Sequence, residues 1–345
     1  MDSGQPLHHG GRLGEAARQW DIPREKWLDL STGINPVGWP VPTIPDSIWQ
    51  RLPEDDDGLV DTVRAWCDTP PTAGCLPVAG SQAAIQTLPR LRKPCRVGVP
   101  YPAYEEHARC WSQAGHTVVS IDPLTASEEE DWLEGLDVLV WINPNNPTGR
   151  QWARSQLLGW HERLQARGGW LVVDEAFLLP DDRDDSLTPV SDRPGLLVLK
   201  SLGKFFGLAG VRAGAVLGDS TVTTRLAVEL GPWSISHPAR FLMKQALADT
   251  AWQTKTCARL RRDAARLDAL LQAFGTSVSG TALFRYVAFD GAHAVADHLA
   301  QQGILVRRFS NPAALRFGLP GDEPQWLRLE AALAHVPCPQ TSSSR

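Results

Sequence analysis

The sequence lacks long apolar runs, and stretches such as VLVWI are too short to cross a bilayer. Its first residues lack the charged start and apolar stretch of a secretion signal. It has no run of Lys or Arg that could follow a phosphate backbone, and its formal net charge is only −5 over 345 residues. We therefore expect a cytoplasmic protein with neither nucleic-acid nor membrane partners.

Metal and nucleotide motifs are also missing. The six cysteines form no CxxC pair and have no companion histidines at zinc-finger spacing, so we expect most of them to be reduced and no metal to be bound. His8 and His9 are adjacent and point to opposite sides of an extended segment, which makes them a poor metal pair. Gly203-Lys204 has no glycine five residues earlier, and there is no GxGxxG, which excludes the usual phosphate-binding and dinucleotide-binding loops.

The apolar pattern predicts two domains and a mostly parallel sheet. Short apolar runs alternate with helix-length segments over residues 46–230, which favours a large α/β domain with helices on both faces of the sheet. Residues 231–336 change to long helical segments followed by short strands, typical of a smaller α+β domain. We interpret the Gly- and Pro-rich residues 1–45 as an arm packing on both domains, and residues 337–345 as a disordered tail. The predicted buried strands are CRVGV, TVVSI, DVLVWI, WLVVD and LLVLK.

Four segments carry the candidate chemistry, and each lies where a predicted strand ends. Ligands of open α/β sheets bind at this edge of the sheet. The segments are AGSQAAI (79–85), NPNNPTG (143–149), DEAF (174–177) and SLGKFFGLAGVRAG (201–214).

Each segment has an ordinary alternative. NPNNPTG could be a surface turn, but a turn needs only one or two of its prolines and glycine, so the full set favours a ligand loop. Asp174 could cap a helix, but a carboxylate ending a buried strand needs a cationic or donating partner. Lys204 could be an exposed lysine, but its apolar neighbours Leu202, Phe205 and Phe206 favour a neutral amine suited to Schiff-base chemistry.

In this order and spacing, the four segments resemble the fold type I enzymes of the aspartate aminotransferase superfamily, which use pyridoxal 5'-phosphate (PLP). The resemblance implies that Lys204 forms the Schiff base, that Asp174 pairs with the pyridine nitrogen, and that Asn146 donates to the ring's phenolic oxygen. It also implies further ligands for the cofactor and one for the substrate carboxylate. These are Arg212, Ser201 and the N–H groups near Ser81 and Gln82 for the cofactor phosphate, Tyr104 stacked on the ring, and Arg316 for the carboxylate.

The ends of the chain refine this resemblance. HHGGRLGEAARQW, LDLSTGINPVGWP, PWSIS and the Phe of DEAF are similar to threonine-phosphate decarboxylases of cobalamin biosynthesis. That implies decarboxylation of L-threonine O-3-phosphate to (R)-1-amino-2-propanol O-2-phosphate in a homodimer. Candidate ligands for the substrate phosphate are His9, Arg12 and Asn35 in the arm, although Arg12 could equally lie on a solvated surface.

Two other functions stay open. A histidinol-phosphate aminotransferase would share every cofactor residue. A sensor domain of a transcription regulator would need an attached DNA-binding domain, which residues 1–45 are too short and too rich in Gly and Pro to supply. The sequence also departs from its resemblance, since Leu52-Pro53-Glu54 stands where relatives have Tyr-Pro-Asp, and Gly203 where Ser or Thr is common.

Overall fold

The computed structural model describes residues 10–123, 126, 131–274 and 277–336. Contacts divide this part of the chain into a large unit, residues 38–146 and 150–256, and a small unit, residues 10–37, 147–149 and 257–336.

Strands and helices alternate along most of the chain. In chain order the strands are β1 (Leu28–Leu30), β2 (Gly74–Val78), β3 (Arg96–Pro100), β4 (Thr117–Ile121), β5 (Val138–Ile142), β6 (Trp170–Asp174), β7 (Leu196–Ser201), β8 (Gly214–Gly218), β9 (Val278–Thr281), β10 (Phe284–Ala288), β11 (Ile304–Ser310) and β12 (Ala313–Gly318). The helices are α1 (Leu13–Trp20), α2 (Asp46–Gln50), α3 (Leu59–Cys67), α4 (Ser81–Thr87), α5 (Glu106–Gln113), α6 (Arg154–Gln165), α7 (Ser220–Leu230), α8 (His237–Ala248), α9 (Thr250–Leu271), α10 (Ala292–Gln301) and α11 (Glu323–Ala334).

The large unit contains a seven-stranded sheet in the order β2-β8-β7-β6-β5-β3-β4. Strands β3 to β7 pair in parallel, and they are the five apolar runs that the sequence predicts as buried strands. The expected fold class is thus confirmed. β8 runs antiparallel to β7 and to β2, a feature that the sequence pattern did not predict.

Both faces of this sheet are covered, as the continuous apolar runs require. Successive residues of a strand point to opposite faces. Val138 and Val140 of β5 accordingly join one buried cluster, whereas Leu139 and Trp141 join another. Because both faces are buried, polar residues can appear only where the strands end, which positions the candidate site at that edge.

The small unit has a five-stranded sheet in the order β1-β11-β12-β10-β9. β1, from the N-terminal part of the chain, pairs in parallel with β11, and Leu28 lies opposite Ile304. The other pairs are antiparallel. This pairing groups residues 10–37 with the small unit, whereas residues 38–45 group with the large unit.

The contact boundary between the units lies within α9, at residues 256–257, whereas the sequence pattern placed it at 230–231. The reason is that α8 packs on α3 of the large unit. Arg240 of α8 forms an ion pair with Asp57 at 2.7 Å, and Lys244 donates to the Asp57 carbonyl oxygen at 2.7 Å. The predicted tail, residues 337–345, lies outside the described residues.

Among the helices that the structure describes, none combines the length and the apolar character needed to cross a membrane.

Candidate active site

Asp174 ends β6 with a buried carboxylate, and its partner is a histidine from elsewhere in the chain. His107 Nε2 of α5 lies 3.0 Å from Asp174 Oδ2, and the Ala176 N–H donates to Oδ1 at 3.0 Å. Both side chains are almost fully buried. The donating partner that the sequence argument requires is therefore His107. That residue was missed because a single histidine in a helix carries no local signal.

Tyr104 is held in place by a short chain of hydrogen bonds. Its hydroxyl donates to Gln82 Oε1 at 3.0 Å, and Gln82 Nε2 donates to Glu106 Oε2 at 3.3 Å. Burial, followed by the nearby charges of Glu106 and Asp174, raises the pKa of Tyr104, which keeps the phenol neutral. His107 contacts the Tyr104 ring edge-on, with centroids 6.2 Å apart. The Gln82 side chain thus positions Tyr104. The predicted contact of Gln82 with the cofactor phosphate would then be made by the Gln82 backbone N–H.

Arg212 lies against a glycine at the start of α4. Gly80 has a φ of +75°, and a Cβ added there would lie 3.0 Å from Arg212 Nη2. A side chain at this position would fill the space beside the guanidinium. Arg212 also donates to the Ala209 carbonyl oxygen at 3.4 Å. The glycine therefore brings a cation next to the first-turn N–H groups of α4, which is a donor set suited to an anion.

Ser201 joins the same region through the register of β7 and β8. It lies opposite Gly214, and a Cβ added to Gly214 would be 3.0 Å from the Ser81 backbone nitrogen. The Ser201 hydroxyl oxygen accepts the Gly203 N–H at 3.3 Å. The structure thus brings together two of the segments that the sequence singled out, AGSQAAI through Ser81 and SLGKFFGLAGVRAG through Ser201 and Arg212.

Lys204 lies in the turn after β7 among apolar side chains. Its Nζ is 5.5 Å from the centre of the Phe177 ring of DEAF. The flanking residues Leu202, Phe205 and Phe206 are buried. The turn thus places the Lys204 amine beside the DEAF segment.

Asn146 lies in the NPNNPTG loop, whose conformation is fixed by hydrogen bonds of two other asparagines. Asn143 exchanges two hydrogen bonds with the backbone of Trp152, at 2.8 and 3.0 Å. Asn145 Nδ2 donates to the Pro102 carbonyl oxygen at 3.0 Å. These hydrogen bonds account for two of the three asparagines of NPNNPTG, and the role of Asn146 toward a ligand stays a prediction.

In the small unit, Arg316 is buried on β12. Its Nη2 donates to the Ser31 carbonyl oxygen at 2.8 Å, and the guanidinium lies 5.1 Å from the centre of the Phe284 ring. Arg307 of β11 lies directly opposite in the antiparallel register. Burial, followed by the charge of Arg307, lowers the pKa of Arg316 to about 9, while Asp29 acts in the other direction. Two like charges at facing positions destabilise a sheet, and the pair concentrates positive charge on this face.

Arg307 is a second candidate that the sequence argument missed. The segment GILVRRFS did contain a signal, because in a strand only every second residue faces a given side. Arg308, the next residue, is paired with Asp297 at 2.7 Å. Arg307 thus shares a face of the sheet with Arg316, and Arg308 does not.

Two of the three predicted phosphate ligands of the arm, Arg12 and Asn35, have partners within the protein. Arg12 forms an ion pair with Glu15 at 3.2 Å, with both side chains substantially exposed. Asn35 is buried, and its Oδ1 accepts hydrogen bonds from Arg259 Nη2 at 2.6 Å and from the Val37 N–H at 3.1 Å. His9 lies outside the described residues. The roles of these three residues toward an anion stay predictions.

Within residues 10–123, 126, 131–274 and 277–336, no group of three or more His, Cys, Asp or Glu side chains could hold a metal ion.

Comparison with known proteins identifies the class. Residues 69–336 match the family of class I and II aminotransferases, and the chain belongs to that family. It is 51% identical to the threonine-phosphate decarboxylase of Pseudomonas aeruginosa, with 95% of this chain and 97% of the relative covered. It is 41% identical to the threonine-phosphate decarboxylase of a Sinorhizobium species, with 96% and 98% covered. The resemblance inferred from the sequence is confirmed.

More distant similarities extend to aminotransferases. A histidinol-phosphate aminotransferase of Mycobacterium tuberculosis is 34% identical, with 75% of this chain and 72% of that protein covered. The solved structure of histidinol-phosphate aminotransferase from Sinorhizobium meliloti, in complex with pyridoxal-5'-phosphate, superposes with a TM-score of 0.80 at 20% identity and covers 96% of each chain. This structural likeness shows the shared fold.

Proposed function

We propose that this chain is a PLP-dependent enzyme that decarboxylates L-threonine O-3-phosphate to (R)-1-amino-2-propanol O-2-phosphate. Its similarity to threonine-phosphate decarboxylases over nearly its full length supports this. The structural observation that carries the proposal is the facing pair Arg307 and Arg316, because threonine phosphate carries two anionic groups.

The residues of the large unit fit PLP. Arg212, the Ser201 hydroxyl and the first-turn N–H groups at Ser81 and Gln82 form the proposed site for its phosphate, and Tyr104 is the proposed stacking ring. When bound, PLP supplies a protonated pyridine ring that accepts the electron pair left when a bond at the substrate's Cα breaks. Asn146 is the proposed donor to the ring's phenolic oxygen.

Asp174 is proposed to keep the pyridine nitrogen protonated. This role needs a carboxylate that is held in place by donated hydrogen bonds. His107 Nε2 and the Ala176 N–H provide such bonds, both at 3.0 Å. They also fix the orientation of the carboxylate.

Lys204 is proposed as the point at which the cofactor is attached. With the cofactor bound to the substrate, the Lys204 ammonium would be the group that supplies a proton to Cα in place of the departing CO2. Attachment needs the neutral amine and the return of a proton needs the ammonium, so Nζ would alternate between the two forms beside the Phe177 ring, which lies 5.5 Å away.

The choice of bond is geometric. The bond that breaks is the one held perpendicular to the conjugated ring, so a decarboxylase must hold the carboxylate out of the ring plane. Arg316 is proposed to bind the carboxylate and Arg307 the phosphate. Two anchors fix rotation about the N–Cα bond of the substrate, and one anchor does not. Arg12, His9 and Asn35 remain the alternative phosphate ligands.

The direct test is to incubate the purified protein with PLP and L-threonine O-3-phosphate in the absence of any 2-oxo acid. We expect CO2 and aminopropanol phosphate to form. Threonine without its phosphate should be a poor substrate because one anchor is missing. Transfer of the amino group of histidinol phosphate to 2-oxoglutarate at a comparable rate would instead support the aminotransferase function.

We also propose that the enzyme acts as a cytoplasmic homodimer. The large unit has an apolar groove with a volume of about 680 Å³, and Trp49, Leu52 and Trp233 on its walls are each at least 60% exposed. Exposed apolar surface of this kind marks interaction sites. Light scattering should give the mass of a dimer, and Trp233→Glu should shift it toward the monomer. Val228→Glu, on an exposed residue that does not line the groove, is the control, and a fully active monomer would contradict the proposal.

A further inference from the structure

Ser31 links three parts of the small unit. Its carbonyl oxygen accepts a hydrogen bond from Arg316 Nη2 at 2.8 Å. Its hydroxyl oxygen accepts the Gly11 N–H at 2.7 Å and donates to Asp29 Oδ1 at 2.6 Å, and its N–H donates to the same oxygen at 2.9 Å. Ser31 is only 2% exposed. Every polar atom of this one residue therefore connects the N-terminal segment, β1 and the arginine on β12.

Gly10 contacts the same carbonyl oxygen that holds Arg316. A Cβ added at Gly10 would lie 2.4 Å from the Ser31 oxygen, far inside contact distance. Because that oxygen belongs to the backbone, a side chain at position 10 would displace either the N-terminal segment or Ser31 itself. Gly14 offers a contrast, since a Cβ there would find its nearest neighbour, the flexible Arg18 Nη1, at 3.7 Å.

Asp29 brings a negative charge close to both Ser31 and Arg316. It accepts both hydrogen bonds from Ser31 and is the acidic group whose charge acts on Arg316. The Ser31 oxygen that binds Arg316 is a neutral backbone acceptor rather than a carboxylate. The orientation of Arg316 then depends on where Ser31 is held, and Ser31 is held by Asp29 on one side and by Gly11 on the other.

We propose that Ser31 is a positioning residue for Arg316, and that the close contact of Gly10 and Gly11 with Ser31 couples the placement of the N-terminal segment to the capture of the substrate carboxylate. This rests on the proposed function only in assigning the carboxylate to Arg316. Coupling between two sites is reciprocal, so a change at either end must be felt at the other. The glycine pair thus acts on Arg316 through Ser31.

The first test needs no activity. Hydrogen exchange followed by mass spectrometry on the PLP-loaded protein reports on the Gly11 N–H and the peptide around it. We expect Gly10→Ala, Ser31→Ala and Arg316→Met each to speed exchange in this peptide, whereas Gly14→Ala leaves it as in the unchanged protein. Protection in Gly10→Ala and Ser31→Ala equal to that of Gly14→Ala would overturn the proposal. Ser31→Ala removes only one oxygen, so it keeps the test valid if Gly10→Ala folds poorly.

The second test separates positioning from general damage. In Gly10→Ala and Ser31→Ala, KM for L-threonine O-3-phosphate should rise about tenfold, within the usual range of coupling between sites. The absorbance of the bound cofactor and the affinity for PLP should match those of Gly14→Ala. An unchanged KM in both variants, or an equal loss of PLP affinity, would refute the coupling. If the unchanged protein does not decarboxylate this substrate at all, the proposed function fails, while the exchange result still decides the inference.

Discussion

The region around Asp174 in the large unit pairs opposite charges, whereas the arginine site of the small unit places like charges side by side. In the large unit, charges are matched at short range: Lys200 Nζ lies 2.6 Å from Glu175 Oε2, one residue beyond Asp174. The second oxygen of Glu175 accepts the Leu187 N–H at 2.8 Å. In the small unit, two arginines face each other across paired strands.

This contrast indicates what each region is built for. A buried ion pair with its hydrogen bonds complete is rigid, and removing one partner leaves a costly unpaired charge. Such an arrangement suits a cofactor that stays bound. Like charges held together favour an anion that arrives and leaves, because the anion relieves the repulsion while it is present. We therefore expect the first region to be organised before its ligand binds and the second to depend on its ligand.

The largest expected effect comes from Lys204 in the large unit. Lys204→Ala should bind PLP but lower turnover by about 10³-fold or more, since a proton-transfer group of this kind contributes up to about 10⁴-fold. Borohydride should label Lys204 in the unchanged protein and nothing comparable in the variant. Lys255→Ala, at an exposed position on α9, is the control. A label on another lysine would contradict the assignment.

The next effect is smaller and belongs to the small unit. Arg307→Met should raise KM for L-threonine O-3-phosphate by about 10- to 100-fold, as expected for loss of a charged hydrogen bond of about 1.5 to 3 kcal/mol. PLP affinity should not change. Arg308→Met is a matched control on the opposite face of β11, where Arg308 pairs with Asp297. Equal effects of the two variants would show that Arg307 is not a substrate ligand.

A third change tests whether the large unit depends on its internal partners. His107→Leu removes the hydrogen bond to Asp174 and should weaken PLP binding about tenfold, near the lower end for a bond to a charged group. His107→Gln keeps a donor and should retain more of the affinity. Titration of the apoprotein with PLP, followed by absorbance, measures both. Identical affinities for the two variants would exclude a role for the hydrogen bond.

The smallest effect concerns the ion pair between Asp57 and Arg240, which belongs to neither the proposed cofactor site nor the proposed substrate site. Burial alone would raise the pKa of the Asp57 carboxyl, but hydrogen bonds from Arg240 and from the Leu59 N–H outweigh it and lower the pKa below its ordinary value of 3.8. The stabilisation is therefore present above about pH 4 and is lost as the pH falls through the lowered value. Urea unfolding between about pH 6 and 3 should show a steeper loss of stability for the unchanged protein than for Asp57→Asn. Parallel curves would contradict the assignment.

Much of the large unit was predictable because the information is local. An uninterrupted apolar run such as WLVVD must be buried on both faces, and a polar residue directly after it must lie at the edge of the sheet. The position of Ser201 directly after LLVLK follows this rule, whereas Ser81 and Arg212 were predicted from the family resemblance, and the structure brings the three residues together. The small unit was less predictable, since its strands are short and its first strand comes from the opposite end of the chain.

The sequence by itself determined the class of fold, the buried strands and the polar residues that end them, because apolar periodicity and strand-end chemistry are read over a few neighbouring residues. Only the tertiary structure decided that His107 meets Asp174, that Arg307 faces Arg316, and that Ser31 receives both Gly11 and Arg316. These pairs depend on strand register and helix packing between distant segments. A shift of one residue in β11 would turn Arg307 to the other face, and no local pattern specifies that register.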